Sequence, residues 1–241
     1  MIRKAMILAA GRGTRMGALT GELPKPMLPI EGKPMLEHIV RRIQQAGIPE
    51  ILIVTGYRRE LIEDHFRQGF SGVSFVVQDV VEGTASAVKL GRSFVGADPF
   101  LLTFGDIICA ARNYSGIGET LVRENAAAVL GVKRVDDPWR GAAIYVNESG
   151  RVTKIIEKPP RGTSTTPWNS AGLYAFSPVI FDEIETTPRS ARGEYEISTS
   201  IDQLIDHNRP VHIWEIEGAW RDVGRPEDLA LAGRILDESA D

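Results

Sequence analysis

This sequence has almost no cysteine, no long apolar run and no strong net charge, and each absence excludes a class of protein. A single cysteine, Cys109, stands among 241 residues, so no disulfide can form within the chain, which fits a reducing compartment. No apolar segment approaches the ~20 residues needed to cross a bilayer, and residues 1–13 show no cleavage site of a secretory signal. We therefore expect a cytoplasmic protein with no membrane partner.

The charged residues are distributed rather than clustered. The 28 basic residues are scattered among 32 acidic ones, for a net charge of −4, which argues against an extended nucleic-acid surface. The four histidines are too far apart along the chain to predict a metal cluster. A phosphate-bearing partner is therefore expected to be small and bound at a local site.

The first half of the chain alternates short β-rich runs with helical patterns. Strands are predicted over residues 4–8, 50–55, 74–78, 100–104 and 126–132. Helices are predicted over residues 34–46, 58–67, 84–94 and 117–125. This alternation predicts an α/β fold with a mostly parallel central sheet and helices on both faces.

The second half is richer in strands. Strands are predicted over residues 141–146, 152–157 and 169–176, and helices over 178–185, 197–207 and 225–237. No internal repeat and no linker interrupts the pattern. We expect one domain over residues 1–241, with a β-rich lobe in its second half.

A glycine-rich segment, LAAGRGTRM, follows the first predicted strand and is the most informative motif. A strand that ends in Ala-Ala-Gly-x-Gly exposes successive backbone N–H groups, which suit phosphate oxygens. Arg15 and Lys25 would add positive charge. The segment lacks the Lys-Ser/Thr of a Walker A loop, and Gly17 comes one residue too late for the dinucleotide-binding fingerprint.

Together with the following PKPMLP, this motif resembles the sugar-phosphate nucleotidyltransferase family, in particular its single-domain glucose-1-phosphate uridylyl- and thymidylyltransferases. The resemblance runs from Lys4 to about Leu236 and implies a Rossmann-like nucleotidyltransferase fold. It implies that Arg15 and Lys25 are catalytic, and that residues 1–135 bind the nucleotide and 136–241 the sugar phosphate. The nucleotide-binding residues of the loop would be Leu8, Ala9, Ala10, Gly11, Gly13 and Thr14, with Arg15 and Lys25.

Two further groups of residues are assigned to the nucleotide and to a metal. Gln78 ends a predicted strand, and its amide can read the imide edge of uracil or thymine, with Gly83 and Thr84 beside the base; Thr84 could also be an ordinary helix N-cap. Asp106 follows a buried strand, and the resemblance makes it catalytic and a metal ligand together with Asp222. Two carboxylates and a phosphate suit Mg²⁺. Asp228 is expected on a helix surface.

The sugar phosphate is assigned to the second half of the chain. Glu157 could accept hydrogen bonds from ring hydroxyls, and Lys158 could pair with the phosphate. The resemblance adds three residues beside the sugar: Gly141, Asn169 and Gly172.

The expected reaction is Mg²⁺-dependent transfer of a nucleotidyl group from a nucleoside triphosphate, UTP or dTTP, to a sugar 1-phosphate. An acceptor such as phosphocholine or a heptose phosphate remains open, as does a non-catalytic paralogue that binds nucleotide sugars. The sequence leaves open the sugar, the oligomeric state and the base, which could also be guanine or cytosine.

Overall fold

A nine-stranded sheet runs through the centre of the protein in a computed structural model that describes residues 1–237, with side chains to residue 236. The strands are β1 (Lys4–Leu8), β2 (Pro29–Ile30), β3 (Lys33–Pro34), β4 (Glu50–Thr55), β5 (Val73–Val77), β6 (Phe100–Phe104), β7 (Ile107–Cys109), β8 (Ala128–Arg134), β9 (Ala142–Val146), β10 (Val152–Glu157), β11 (Trp168–Phe176), β12 (Val211–Glu215) and β13 (Trp220–Asp222). The helices are α1 (Met35–Gln45), α2 (Arg59–Arg67), α3 (Thr84–Lys89), α4 (Arg92–Val95), α5 (Arg112–Arg123), α6 (Ile180–Thr186), α7 (Ile197–Asp206) and α8 (Pro226–Asp237), with 3₁₀ turns at Thr14–Thr20 and Lys25–Met27. Within these residues, no helix has the length and apolar character needed to cross a membrane.

Parallel pairing dominates the first half of the sheet. Strands β5, β4, β1 and β6 lie side by side in parallel, with Ile7 opposite Ile53 and Thr103. The long strand β11 then pairs antiparallel with β6, β8 and β9. Strand β12 extends the sheet beyond β8, and β10 extends it beyond β9. The expected β-rich part of the second half is therefore a mostly antiparallel extension of the same sheet, in which only β12 pairs in parallel among the described strands.

Both faces of the sheet are covered by helices, which explains why its central strands are apolar on both sides. Side chains of β1 alternate between the faces: Ile7 packs in the cluster with α1 and α5, and Met6 in the cluster with α3, α6 and α7. Both side chains are fully buried. Full burial of such a side chain contributes about 1.5–3 kcal/mol.

Two predicted helices differ from those observed. The helix predicted over 84–94 is divided at Gly91, which lies against the side chains of Met6 and Leu52 where a larger residue would not fit. Helix α5 begins at Arg112, five residues before its predicted start. Its first turns contain Gly116, which lowers helix propensity but lets the helix lie directly against the ring of Trp214.

Short elements were missed altogether. The antiparallel pair of β7 and β13 and the small hairpin of β2 and β3 each contain only two or three residues per strand. Strand β12 was hidden because His212 and Glu215 interrupt its apolar pattern. Of these, β13 matters most for the site, because it ends at Asp222.

Candidate active site

All the residues predicted to bind nucleotide, sugar phosphate or metal line one cleft of about 1300 Å³. The cleft opens beyond the carboxyl ends of β1 and β6, the edge where ligands bind in α/β sheets. The segment after β1 forms one side, and residues from β9, β10 and β11 form the other. The fold thus brings together positions that are up to two hundred residues apart in sequence.

The glycine-rich loop has the backbone of an anion-binding turn. Gly13 has a left-handed φ of +67°, and the 3₁₀ turn begins directly after it at Thr14. In the part of the chain that the structure describes, the amides of Gly11, Gly13 and Thr14 donate no backbone hydrogen bond. Successive unpaired amides at such a turn attract anions.

A buried ion pair joins the loop region to β6. Lys25 has a side chain only 9% exposed, and its Nζ donates a hydrogen bond to Oδ2 of Asp106. The Lys25 side chain also packs against Gly13, so the position of the ion pair depends on the position of the loop. The charge of Lys25 is therefore held at the floor of the cleft.

Strand β13 brings the second predicted metal ligand to the first. It runs antiparallel to β7, and the amide of Val223 donates to the carbonyl oxygen of Asp106 at 2.9 Å. Asp222 opens into the cleft, and the cleft walls reduce the hydration of its carboxylate. This raises its pKa, as does the like charge of Asp106, whereas Lys25 and Arg15 oppose the rise.

Asp228 does not lie free on a helix surface, so that expectation was wrong. Its Oδ2 accepts hydrogen bonds from the amides of Gly224 at 3.0 Å and Arg225 at 2.9 Å, at the start of α8. Its Oδ1 lies 3.6 Å from Nη1 of Arg221. Asp228 therefore fixes the turn that follows Asp222.

Two side chains predicted to meet the base are anchored by the protein. Gln78 is buried and lines the cleft, and its Nε2 donates to Oγ of Ser86 at 3.1 Å and to the carbonyl oxygen of Gly83 at 3.4 Å. Its amide oxygen accepts no hydrogen bond from a donor in the described residues. Thr84 is the first residue of α3, and Gly83 occupies the N-cap position, so the N-cap alternative for Thr84 was wrong. The Thr84 hydroxyl instead accepts a hydrogen bond from the amide of Ile197 at 2.9 Å.

The predicted sugar residues form the opposite end of the cleft. The amide of Lys158 donates to the carbonyl oxygen of Gly141 at 2.8 Å, which links the loop before β9 to the end of β10. Asn169 lies directly beside Gly141, where a larger residue would collide with it. Gly172, at φ +70°, bends β11 against Phe104.

Glu157 sits in a cluster of charges at this end. Burial raises its pKa, and the nearby carboxylate of Glu196 raises it further, while Lys158, Ser198 and Arg192 oppose the rise. Nη1 of Arg192 lies 3.0 Å from Oε1 of Glu196 and 3.9 Å from Oε1 of Glu157. No motif spacing relates Glu157 to Arg192 in the loop before α7, or to Glu196 and Ser198 at the start of α7, so these three residues were not predicted from the sequence.

Asp106 and Asp222 are the residues that could hold a divalent cation. No group of three or more histidine, cysteine or acidic side chains suited to a metal occurs among the described residues. Two adjacent carboxylates, of which the charge of Asp106 raises the pKa of Asp222, nevertheless fit a hard cation that keeps most of its water, as Mg²⁺ does.

Comparison with known proteins identifies the family of this chain. The family model described as nucleotidyl transferase matches residues 4–239. The chain belongs to this family. The chain is 36% identical to the UTP–glucose-1-phosphate uridylyltransferase AglF of Haloferax volcanii, and the alignment covers 98% of this chain and 97% of that protein. It is also 36% identical to the bifunctional protein GlmU of Methanococcus vannielii, covering 96% of this chain and 54% of that protein. The chain spans about half the length of the GlmU relatives it matches.

Solved structures confirm the Rossmann-like α/β fold expected for this nucleotidyl transferase. A UDP-glucose pyrophosphorylase complexed with UDP-glucose superposes with a TM-score of 0.89 at 23% identity, over 99% of both chains. A putative glucose-1-phosphate thymidylyltransferase from Bacillus anthracis superposes with a TM-score of 0.84 at 28% identity, over 96% of this chain and 94% of that one.

Proposed function

We propose that this protein transfers a nucleotidyl group from a nucleoside triphosphate to a sugar 1-phosphate, giving a nucleoside diphosphate sugar and pyrophosphate. The observation that carries the proposal is the position of Lys25 and Asp106. They form a buried ion pair between an anion-binding loop on one side and the cluster around Glu157 on the other. Family membership and the activity named for AglF support the same reaction.

In this reaction an oxygen of the sugar phosphate attacks the α-phosphorus of the triphosphate. A new P–O bond forms there, the bond to the bridging α–β oxygen breaks, and the electron pair leaves with pyrophosphate. A phosphate monoester with its second pKa near ~6 is already ionised at neutral pH, so no general base is needed. In agreement, none of the four histidines lines the cleft in the described chain.

The work of the protein is then to position two anions and to stabilise the charge that moves between them. Lys25 is fixed at the floor of the cleft by Asp106 and would neutralise the α-phosphate as it is attacked. Arg15, which has no ion-pair partner among the described residues, would bind the departing pyrophosphate. The loop amides of Gly11–Thr14 would hold the triphosphate oxygens.

We propose Mg²⁺ as the cation held by Asp106 and Asp222. When bound, it would supply charge neutralisation at the phosphates. The chain itself contributes the two carboxylates and keeps them adjacent through the hydrogen bond from Val223 to Asp106. Lys25 offsets one of these negative charges in the protein alone.

We propose UTP or dTTP as the nucleotide and the 1-phosphate of a six-carbon sugar, neutral or acidic, as the acceptor. The Gln78 side chain is fixed through Ser86, so its amide oxygen can accept a hydrogen bond from the imide N–H of uracil or thymine. Glu157 is placed to accept hydrogen bonds from sugar hydroxyls. The names of AglF and of the Bacillus anthracis structure support this choice.

We further propose that residues 1–241 act as a single cytoplasmic domain, with residues 1–135 binding the nucleotide and residues 136–241 the sugar phosphate. One continuous sheet through both halves supports the single domain. The lone buried Cys109 supports a reducing compartment.

The decisive experiment measures pyrophosphate release from UTP, dTTP, GTP, CTP and ATP, each with a panel of sugar 1-phosphates and Mg²⁺. Release that requires both substrates supports the proposal, and the best pair identifies the base and the sugar. Lys25→Ala should lower the rate of release by about 10²–10³-fold. Lys89→Ala, which removes an exposed ion pair with Glu185, is the matched control and should leave the rate unchanged. No release from folded wild-type protein with any pair would refute the proposal.

A further inference from the structure

Most positively charged side chains that line the cleft have a carboxylate partner. The pairs are Lys25–Asp106, Lys158–Glu157, Arg192–Glu196, Arg221–Asp228 and Arg225–Glu227. Over residues 1–236, two cleft-lining cations have no ion pair: Arg15 and Arg140. Arg15 lies at the nucleotide end, near Asp222, and under the proposed function its charge would bind the departing pyrophosphate. The charge of Arg140 has no such role.

Arg140 lies at the sugar end of the cleft. It directly precedes Gly141, whose carbonyl oxygen accepts the hydrogen bond from the amide of Lys158. Gly141 in turn lies against Asn169. Arg140 is therefore on the same wall as Glu157 and Lys158, far in sequence and in the fold from the glycine-rich loop.

An aromatic ring holds the guanidinium of Arg140 without using its hydrogen-bond donors. The Cζ atom of Arg140 lies 4.9 Å from the ring centroid of Trp139, and that of Arg161 lies 5.7 Å from the same ring. Such cation–π contacts restrict the side chain, which lowers the entropy lost when a ligand binds. No protein acceptor takes a hydrogen bond from the Arg140 guanidinium in the described chain.

The acidic residue closest to Arg140 in sequence does not neutralise it. Asp137 is in the same loop, but its Oδ2 accepts a hydrogen bond from the amide of Gly162 at 2.8 Å. That bond ties the loop before β9 to the loop after β10, and the two loops carry Arg140 and Arg161. Asp137 thus supports the loop and is not an ion-pair partner of Arg140.

We propose that Arg140 determines sugar specificity by binding a second negative group on the substrate, namely a carboxylate. The preferred acceptor would be a uronic acid 1-phosphate rather than a neutral hexose 1-phosphate. The planar guanidinium presents parallel N–H donors that match the two oxygens of a carboxylate. This inference rests on the proposed function of the cleft and narrows its substrate class.

The test compares kcat/KM for matched sugar 1-phosphates: glucose with glucuronic acid, galactose with galacturonic acid, and glucuronamide as an uncharged analogue of the carboxylate. Wild type should use the better uronic acid at least about tenfold more efficiently than its neutral partners, since a hydrogen-bonded charge pair is worth about tenfold to a hundredfold. Arg140→Gln should remove this preference and leave kcat/KM for the neutral sugar nearly unchanged. Arg161→Gln is the matched control, because Arg161 contacts the same ring but does not line the cleft, and it should keep the preference.

Each other result overturns the inference in a distinct way. A wild-type protein that favours the neutral sugars contradicts it without any variant, so the test stands even if Arg140→Gln does not fold. Equal losses on neutral and acidic sugars in Arg140→Gln would assign Arg140 to the 1-phosphate that both share. An equal loss of preference in Arg161→Gln would assign the effect to general positive charge. Turnover of neutral sugars alone overturns this inference but keeps the proposed function, whereas no turnover of any sugar overturns both.

Discussion

Replacing Gly13 by alanine should disturb the loop and Lys25 together. Gly13 has φ +67°, and a Cβ at this position would lie 2.5 Å from Cβ of Lys25. Ordinary contact begins at 3.4 Å, so Lys25 or the loop would have to move by about 0.9 Å. Gly47 provides a matched control, since it has φ +82°, follows α1 outside the cleft, and has nothing within 4 Å of its Cβ position.

The two substitutions share one cost and differ in another. A left-handed conformation costs an L-residue about 1–2 kcal/mol, and the stiffer unfolded chain returns about 0.4–1 kcal/mol, so Gly47→Ala should lose roughly 1 kcal/mol. In Gly13→Ala the overlap with Lys25 adds about 1–3 kcal/mol. At ~2–4 °C per kcal/mol for a chain of this size, Gly13→Ala should lower Tm two to four times as much as Gly47→Ala.

The effect on turnover should be larger than the effect on stability. A displacement of about 1 Å in a catalytic group can cost ~10²-fold in rate, so single-turnover pyrophosphate release should fall by about that factor in Gly13→Ala and hardly change in Gly47→Ala. Thermal unfolding and single-turnover kinetics on the same preparations would measure both. If the two variants lose equal stability and keep equal rates, Lys25 is not fixed by its packing against Gly13, and the reasoning fails.

Three further predictions concern charged residues of the cleft. Lys25→Ala should lower the single-turnover rate by about 10²–10³-fold while sugar-phosphate affinity stays nearly constant; an unchanged chemical step would exclude its role at the α-phosphate. Asp106→Asn should raise the Mg²⁺ concentration needed for half-maximal rate, so an unaltered magnesium titration would argue against Asp106 as a ligand. Because burial and Glu196 raise the pKa of Glu157, the ionised acceptor is lost as pH falls through a value above the ordinary glutamate pKa. KM for the sugar phosphate should rise on that acid side, and the rise should be smaller in Glu157→Gln, which keeps only the part due to protonation of the substrate phosphate.

Long apolar elements were predictable from the sequence because their burial is periodic. Strands β4 and β6 and the helix α1 occur within a residue of their predicted ends, and each packs in the core. The division of the helix after Thr84 could not be predicted, since Gly91 is required by Met6, which lies far away in sequence. The local hydrophobic pattern of a sequence indicates which residues are buried. It does not indicate which distant side chain packs against a glycine.

The candidate site was predictable only where a motif marked it. The glycine-rich loop and Lys25 are close in sequence, so their joint chemistry could be inferred before the structure was known. Arg140 and Arg192 carry no motif of their own. The pairing of β9, β10 and β11 brings Arg140 near the predicted sugar residues, and Arg192 comes near them in the loop before α7, which packs against β10. For these residues, proximity to the site is determined by the fold and could not be predicted from their spacing in the sequence.

Charge balance explains why the site is assembled from separate parts of the chain. Two adjacent carboxylates, Asp106 and Asp222, would repel each other and destabilise the fold, and Lys25 and Arg15 offset this repulsion. Only Lys25 is locked by burial, whereas Arg15 is exposed and has no ion pair among the described residues. A fixed cation suits the reacting phosphate, which must stay in place, and a free one suits pyrophosphate, which must leave. The difference in burial between Lys25 and Arg15 therefore agrees with the proposed transfer reaction, in which one anion stays in place and another departs.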